Sequence, residues 1–171
     1  MDATRSEITP GSSRATVERT SERELVVTRT IRGPARLVFE AWTRPELFQR
    51  WWVPKAAPIV LLTCELDVRV GGRYRLVFGI NGSEQQMAFF GRYIEVTPHA
   101  RIVWTNDEGD EVGAISTVTF EEQGGQTLVV VHDLYPSKEA LEEAIASGST
   151  EGMPEQLEQL EQLVVSLGGK A

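Results

Sequence analysis

Residues 153–167 form one segment, Met-Pro-Glu-Gln-Leu-Glu-Gln-Leu-Glu-Gln-Leu-Val-Val-Ser-Leu. Its apolar residues recur at steps of three and four, the spacing that places side chains on one face of an α-helix. That face is predicted to hold Leu157, Leu160, Leu163, Val164 and Leu167. The opposite face, predicted to meet solvent, holds Glu155, Glu158, Gln159, Glu161 and Gln162. Pro154 suits the first helical turn, and the glycines after 167 supply a stop. Such a helix needs an apolar surface to pack against.

Most of the chain before this helix has the pattern of β-strands separated by turns. Residues 25–31 are rich in β-branched side chains and predict a first strand. Two short helices are predicted next, at 34–42 and 45–51. Six more strands follow between residues 59 and 134, joined by local turns such as Asn81-Gly82. Local hairpins predict an antiparallel sheet, so the expected fold class is α+β, with about seven strands and a C-terminal helix lying across them.

The first 22 residues differ in composition from the remainder. They are rich in Ser, Thr, Arg and Glu and show no apolar periodicity. We therefore expect residues 1–22 to form a flexible N-terminal arm and residues 23–168 to form a single domain. The chain of 171 residues is long enough for one core with a cavity.

Composition narrows the choice of environment and partner. No stretch approaches the ~20 apolar residues of a membrane span, and the N-terminus lacks the apolar core of a signal peptide. Cys64 is the single cysteine, which excludes an internal disulfide and fits a reducing compartment. The net charge of −8 argues against nucleic acid as a partner. A cytoplasmic protein without membrane insertion is expected.

The usual catalytic signatures are missing from the sequence. It contains no G-x-S-x-G elbow, no Gly-rich phosphate loop and no C-x-x-C pair. The two histidines, His99 and His132, have no second metal ligand at useful spacing, so neither a metal site nor a cofactor is predicted. Cys64 has no basic neighbour in sequence and is expected to be a small buried group and not a nucleophile.

His132 is the titratable residue of most interest. Strand alternation places it on one face with Leu128 and Val130, and we expect that face to point inward. A histidine in a cavity could orient a polar ligand or act as an acid or base. A histidine satisfied within the core or at its rim is the simpler expectation.

Large aromatic residues are frequent for a domain of one sheet and one long helix. Under a curved sheet they would suit an apolar pocket with a few polar groups, such as Tyr74 or His132. The residues predicted to line this pocket are Trp42, Trp51, Trp52, Tyr74, Leu76, Phe78, Phe89, Trp104, Val118, Phe120, His132, Met153, Leu157, Leu160 and Val164.

Several short motifs occur along the chain in a characteristic order. They are Arg29-Thr30-Ile31, Gly33-Pro34, Val38-Phe39-Glu40-Ala41-Trp42-Thr43, Pro45-Glu46, Trp51-Trp52-Val53-Pro54, Glu65-Leu66-Asp67-Val68-Arg69-Val70-Gly71-Gly72, Gly91-Arg92-Tyr93-Ile94-Glu95-Val96-Thr97-Pro98, Thr127-Leu128 and Glu151-Gly152. With the helix that follows, they make the chain resemble the heat-shock-protein-90 ATPase activator-like family of the START-like (SRPBCC, Bet v-type) superfamily. The resemblance covers about residues 24–167. It implies a helix-grip fold, in which a strongly bent antiparallel sheet wraps the C-terminal helix around a cavity or its filled remnant.

Three functions are compatible with these features. The first is a binding protein, a monomer or homodimer, that holds a small apolar or amphipathic molecule between the sheet and the C-terminal helix. The second is an aromatase/cyclase-like or hydrolytic enzyme that uses the same cavity and His132, although no paired acid and base is visible. The third is a cofactor of a heat-shock ATPase, which the lack of a basic docking surface does not favour.

Overall fold

A computed structural model describes residues 15–55, 57–108, 111–147 and 152–168. The strands within these residues are β1 (Thr16–Arg19), β2 (Glu24–Arg32), β3 (Ile59–Leu66), β4 (Arg73–Ile80), β5 (Gln86–Thr97), β6 (Arg101–Glu108), β7 (Glu111–Gln123) and β8 (Gln126–Leu134). The helices are α1 (Ala35–Thr43), α2 (Pro45–Phe48), α3 (Lys138–Ser147) and α4 (Met153–Gly168). The strands form one antiparallel sheet in the order β1-β2-β8-β7-β6-β5-β4-β3. Among the described helices, none is long and apolar enough to cross a membrane.

The predicted α+β helix-grip fold is confirmed, with eight strands where about seven were expected. The additional strand is β1, which falls inside the segment predicted to be an arm and pairs with β2 through contacts such as Val17 opposite Val27. Its sequence, Thr-Val-Glu-Arg, is short and mostly polar, so its strand conformation depends on the neighbouring edge of β2 and not on local pattern. Residues 1–14 of the predicted arm lie outside the described residues.

Alternation along the strands gives the sheet one buried side. In β4, Leu76 and Phe78 are 4% and 6% exposed, while Arg73 and Arg75 face solvent. In the central hairpin, Val118 of β7 lies opposite Val131 of β8, and both are almost fully buried. We call the buried side of the curved sheet its concave face and the opposite side its outer face. The hydrophobic core occupies the concave face.

Helix α4 begins at Met153, as predicted, and lays its apolar stripe on the core. Leu157, Leu160 and Val164 are completely buried. The prediction that Gln159 and Glu161 face solvent is wrong, because these side chains are only 8% and 3% exposed. Both side chains bond to other parts of the fold, which lets them leave water without losing their polar partners.

Two sets of polar contacts hold α4 in place. On one side, Arg29 of β2 donates a 2.8 Å hydrogen bond to Oε1 of Glu161, and the backbone N–H of Arg32 bonds to Oε2. On the other side, the Gln159 side-chain amide donates to the carbonyl oxygens of Trp51 and Val53 and accepts from the backbone N–H of Lys55. The helix is therefore gripped both by the sheet and by the segment after α2.

Candidate ligand-binding site

The predicted tryptophans come together with Phe48 in one aromatic cluster above the sheet. The ring of Trp42 lies 4.8 Å from Trp51 and 5.6 Å from Trp104, and Phe48 stacks on Trp52 at 4.6 Å. Trp51 is fully buried and donates its indole N–H to the carbonyl oxygen of Ala41. The contacts among these rings are those of a packed core, and Trp52 and Trp104 retain partial exposure at its margin.

Several other residues predicted to line the pocket are too deeply buried to touch a ligand. Val118, Leu157, Leu160 and Val164 have no accessible surface, and Phe120 is 5% exposed. These residues form the interior beneath α4. Met153, at the start of α4, is partly exposed and packs against the same core.

The concave face is less well covered beneath β4 and β5. Phe89 lies opposite Leu76 in the sheet and its ring is 5.5 Å from that of Phe78, so it faces the core side. Met87 lies opposite Phe78 and faces the same way. Nevertheless Phe89 is 50% exposed and Met87 is 37% exposed. This end of the concave face is therefore an apolar surface open to solvent.

A chain of hydrogen bonds crosses the concave face from Tyr74, which lies beside this open surface, to Asp133 of β8, three strands away from Phe89. The Tyr74 hydroxyl shares its single proton between the carbonyl oxygen of Thr105 at 2.9 Å and Oδ1 of Asn106 at 3.1 Å. The Asn106 amide donates to Oγ of Ser116 at 3.0 Å, and Ser116 donates to Oδ1 of Asp133 at 2.6 Å. Four strands, β4, β6, β7 and β8, contribute one side chain each. We call these four residues the polar chain.

The pKa values of two members of the polar chain, Asp133 and Tyr74, are raised. Burial raises the pKa of the Asp133 carboxyl, and the hydrogen bond from Ser116 only partly offsets this effect. Burial, followed by the nearby charge of Asp107, raises the pKa of the Tyr74 hydroxyl well above its ordinary value. Protein atoms crowd the carboxyl group of Asp133, yet the residue keeps some accessible surface. Shifted carboxyl groups that solvent can still reach are common at functional sites.

His132 lies on the other side of the sheet, so the prediction that it points inward is wrong. The buried residues of β8 are Thr127, Val129 and Val131, which alternate with it. Its Nε2 atom lies 3.0 Å from Oε2 of Glu24, and both side chains are about one-third exposed. The hydrogen bond to His132 helps, after one from Ser21, to lower the pKa of the Glu24 carboxyl.

The wrong orientation predicted for His132 has an identifiable cause. Both faces of β8 carry apolar side chains, so alternation within the strand cannot tell which face is buried. The two-residue turn at Gly124-Gly125 places Gln123 opposite Gln126, and that register sets Phe120 opposite Val129. Counting from the turn would have placed Asp133, and not His132, on the concave face. Asn106 and Ser116 were likewise missed because single polar residues in strands carry no motif.

A second concavity lies on the outer side of the same strands. Its volume is about 340 Å³, it is wide open, and it is lined by Glu65, Arg73, Tyr74, Arg75, Phe90 and Gly91. Arg73, Arg75 and Glu65 are exposed and charged, which suits contact with water better than apolar ligand binding. Within the described residues, no group of three His, Cys, Asp or Glu side chains could hold a metal ion.

A bent antiparallel sheet that grips a C-terminal helix over a concave apolar face defines the START-like, or helix-grip, class of proteins. Within that class, the chain belongs to the family described as Activator of Hsp90 ATPase homolog 1-like protein, whose sequence model matches residues 32–165. The match confirms the resemblance inferred from the motifs. A comparison with curated proteins gave no match.

Solved structures share this fold across most of the chain. A protein from Nitrosomonas europaea is 23% identical with a TM-score of 0.78, and the alignment covers 90% of this chain and all of that one. A protein from Chromobacterium violaceum is 26% identical with a TM-score of 0.71, covering 82% and 96% of the two chains. An AHSA1-like protein from Aeromonas hydrophila is 19% identical with a TM-score of 0.67, covering 84% and 94%.

Proposed function

We propose that this protein binds an apolar or amphipathic small molecule on the concave face of its sheet, beside α4. The observation that carries the proposal is the exposure of Met87 and Phe89 on the side of the sheet that elsewhere forms the core. An exposed apolar surface that continues a buried core is typical of a binding site. The lone free cysteine, Cys64, supports a cytoplasmic site of action.

The partly exposed members of the predicted lining are the best candidates for ligand contact. They are Trp52, Phe89, Trp104 and Met153, with Leu76, Phe78 and Tyr74 beside them. The fully buried members, such as Trp51 and Leu160, would support the site from below without touching a ligand. Covering the exposed half of Phe89 would contribute about 1 kcal/mol, so several such contacts are needed for useful affinity.

The polar chain adds hydrogen-bonding groups to the apolar concave face. Amphipathic ligands need one apolar region and one polar anchor, and both are present on the concave face of β4–β8. His132 has no part in the proposal, because it lies on the outer face with Glu24.

The proposal can be tested by titration with Nile red, a neutral apolar dye that fluoresces in apolar surroundings. We expect saturable binding to the wild-type protein. Phe89→Ser should weaken binding about tenfold, since the dye loses a large apolar contact. Phe90→Ser is the matched control, because Phe90 is the neighbouring residue on the outer face. Absence of saturable binding would refute the proposal. Equal weakening by Phe90→Ser would place the dye in the outer concavity and also refute it.

A further inference from the structure

We propose that Asp133 is the polar anchor of this site and selects ligands that carry a hydrogen-bond donor, above all a protonated amine, while it excludes ligands that carry a carboxylate. The proposal rests on the proposed function, because it assigns the ligand class of the same concave face. The atom proposed to accept the ligand's hydrogen bond is the second carboxylate oxygen of Asp133, Oδ2. Among the described residues, Oδ1 of Asp133 bonds to Ser116, and Oδ2 has no hydrogen-bond partner.

Asp133 is held in a fixed position on the concave face. It lies opposite Leu25 of β2 on one side and opposite Ser116 of β7 on the other, and Ser116 in turn pairs with Trp104, the partly exposed ring of the candidate site that the register brings near Asp133. The 2.6 Å hydrogen bond from Ser116 orients one carboxylate oxygen towards β7. Leu25 is 6% exposed and offers no polar atom from its side chain. The free oxygen therefore keeps its capacity to accept a hydrogen bond from a ligand.

The polar chain has a fixed direction. The Asn106 amide donates to the carbonyl oxygen of Ala114 at 2.8 Å as well as to Ser116, which settles which end of the amide is the NH₂ group. Asn106 consequently donates towards Ser116, and Ser116 donates to Asp133, while the single hydroxyl proton of Tyr74 is shared between Asn106 and the carbonyl oxygen of Thr105. When the carboxyl is ionised, the end of the chain presents an acceptor and no donor. Each bond in such a row polarises the next, which strengthens the terminal acceptor.

Charge favours a cationic donor at this position. Among the described residues, His132 is the basic side chain that lowers the pKa of the Asp133 carboxyl, and it lies across the sheet on the outer face. A carboxylate crowded by protein and lacking a counter-ion on its own face gains most from a ligand that brings the positive charge. A ligand carboxylate would place two like charges together without water, which is unfavourable.

The test uses four molecules with one naphthalene skeleton and different ends. They are 2-(1-naphthyl)ethylamine, 2-(1-naphthyl)ethanol, 1-propylnaphthalene and 1-naphthaleneacetate, the anion of the carboxylic acid. Each is titrated at neutral pH with tryptophan fluorescence as the signal. In the wild-type protein we expect the amine to bind tightest, then the alcohol, then the hydrocarbon, with the acetate weakest. Asp133→Asn should weaken amine binding about ten- to a hundredfold and leave the hydrocarbon unchanged, since it removes only the charged contact.

Two further variants separate a specific anchor from a general effect. Ser116→Ala should reduce the preference for the amine over the hydrocarbon, because Ser116 positions the carboxylate without touching the ligand. Glu24→Gln removes a carboxylate from the outer face and should leave all four affinities unchanged. Thermal unfolding of each variant checks that the fold is retained.

The outcomes distinguish the two proposals. If none of the four molecules binds to the wild-type protein, the proposed function fails and this inference fails with it. If the hydrocarbon binds but the amine and the acetate bind equally well, the anchor role of Asp133 is overturned while the proposed function stands. That comparison needs only the wild-type protein, so it remains decisive if Asp133→Asn does not fold.

Discussion

Arg29 and Glu161 form an ion pair of 2.8 Å between β2 and the C-terminal helix, and their side chains are only 10% and 4% exposed. A charge pair this deep is weak evidence for net stabilisation, because removing both charges from water costs several kcal/mol. The pair matters for stability chiefly when one partner is removed, because the other charge is then left buried and unpaired. The pair also fixes which face of α4 meets the sheet.

Glu161→Leu is expected to lower the free energy of unfolding by about 3–5 kcal/mol, because it leaves the guanidinium group of Arg29 buried without a counter-ion. Arg29→Met combined with Glu161→Leu should recover much of this loss. Arg32→Ala is the control, since Arg32 contacts the same carboxylate from a side chain that is 61% exposed, and it should cost less than about 1 kcal/mol. Urea unfolding measures all three. A Glu161→Leu variant as stable as the wild type would contradict the role given to this pair.

Gln159→Ala is expected to cost about 1–3 kcal/mol, because the backbone N–H of Lys55 and two carbonyl oxygens lose their partner. Gln162→Ala provides a matched control on the same helix. Gln162 is exposed, so its truncation should change stability by less than about 0.5 kcal/mol. Thermal unfolding of the two variants under identical conditions tests the difference, and equal losses would show that the contacts of Gln159 contribute nothing.

Asp133→Asn is expected to stabilise the protein near pH 8. Burial raises the pKa of this carboxyl in the folded state, so the folded protein holds the proton more tightly than the unfolded chain does. Stability is therefore lost as pH rises above about 4, the ordinary pKa of an aspartate. The advantage of Asn should shrink as pH falls towards 4, because protonation of the aspartate progressively removes the buried charge. Unfolding midpoints measured from pH 4 to pH 8 test this trend, and a constant difference would contradict it.

Cys64 is expected to resist alkylation in the folded protein. Burial raises the pKa of its thiol to about 11, and the thiolate is the reactive form. At pH 7.5 the reaction with iodoacetamide should be at least about tenfold slower than that of the unfolded chain, whose thiol has a pKa near 8.5. Mass spectrometry of samples quenched over time, with and without urea, provides the comparison. Rapid labelling without urea would contradict the assigned burial.

The fold could be predicted largely from sequence because its signals are local. The steps of three and four in α4, the alternation in β4 and the two-residue turns each specify an element without reference to distant residues. The strand β1 was missed because it depends on β2 and not on its own four residues. The burial of Glu161 was missed for a similar reason, since its partner Arg29 is 132 residues away.

The candidate site could be predicted only in part. Aromatic content indicated an apolar interior, but sequence alone cannot separate Trp51, which is fully buried, from Phe89, which is half exposed. The polar chain joins four strands whose members are far apart in sequence. Its recognition needs the register of the whole sheet. The orientation of Asp133 could have been predicted from the register that the Gly124-Gly125 turn sets. The orientation of Asn106 could not, because it depends on an irregularity in the pairing of β6 with β7.

The contacts of α4 determine by which route a ligand of the proposed site can come and go. Gln156 and Gln159 bind the segment after α2, and Glu161 binds β2, so polar bonds hold the helix on two sides within six residues. Lifting or rotating the helix would break all of these bonds at once. Exchange with solvent would then take place past Met87 and Phe89, with the helix acting as a fixed wall. The rate of ligand release should accordingly depend on the side chains at these two positions and not on the strength of the grip on α4.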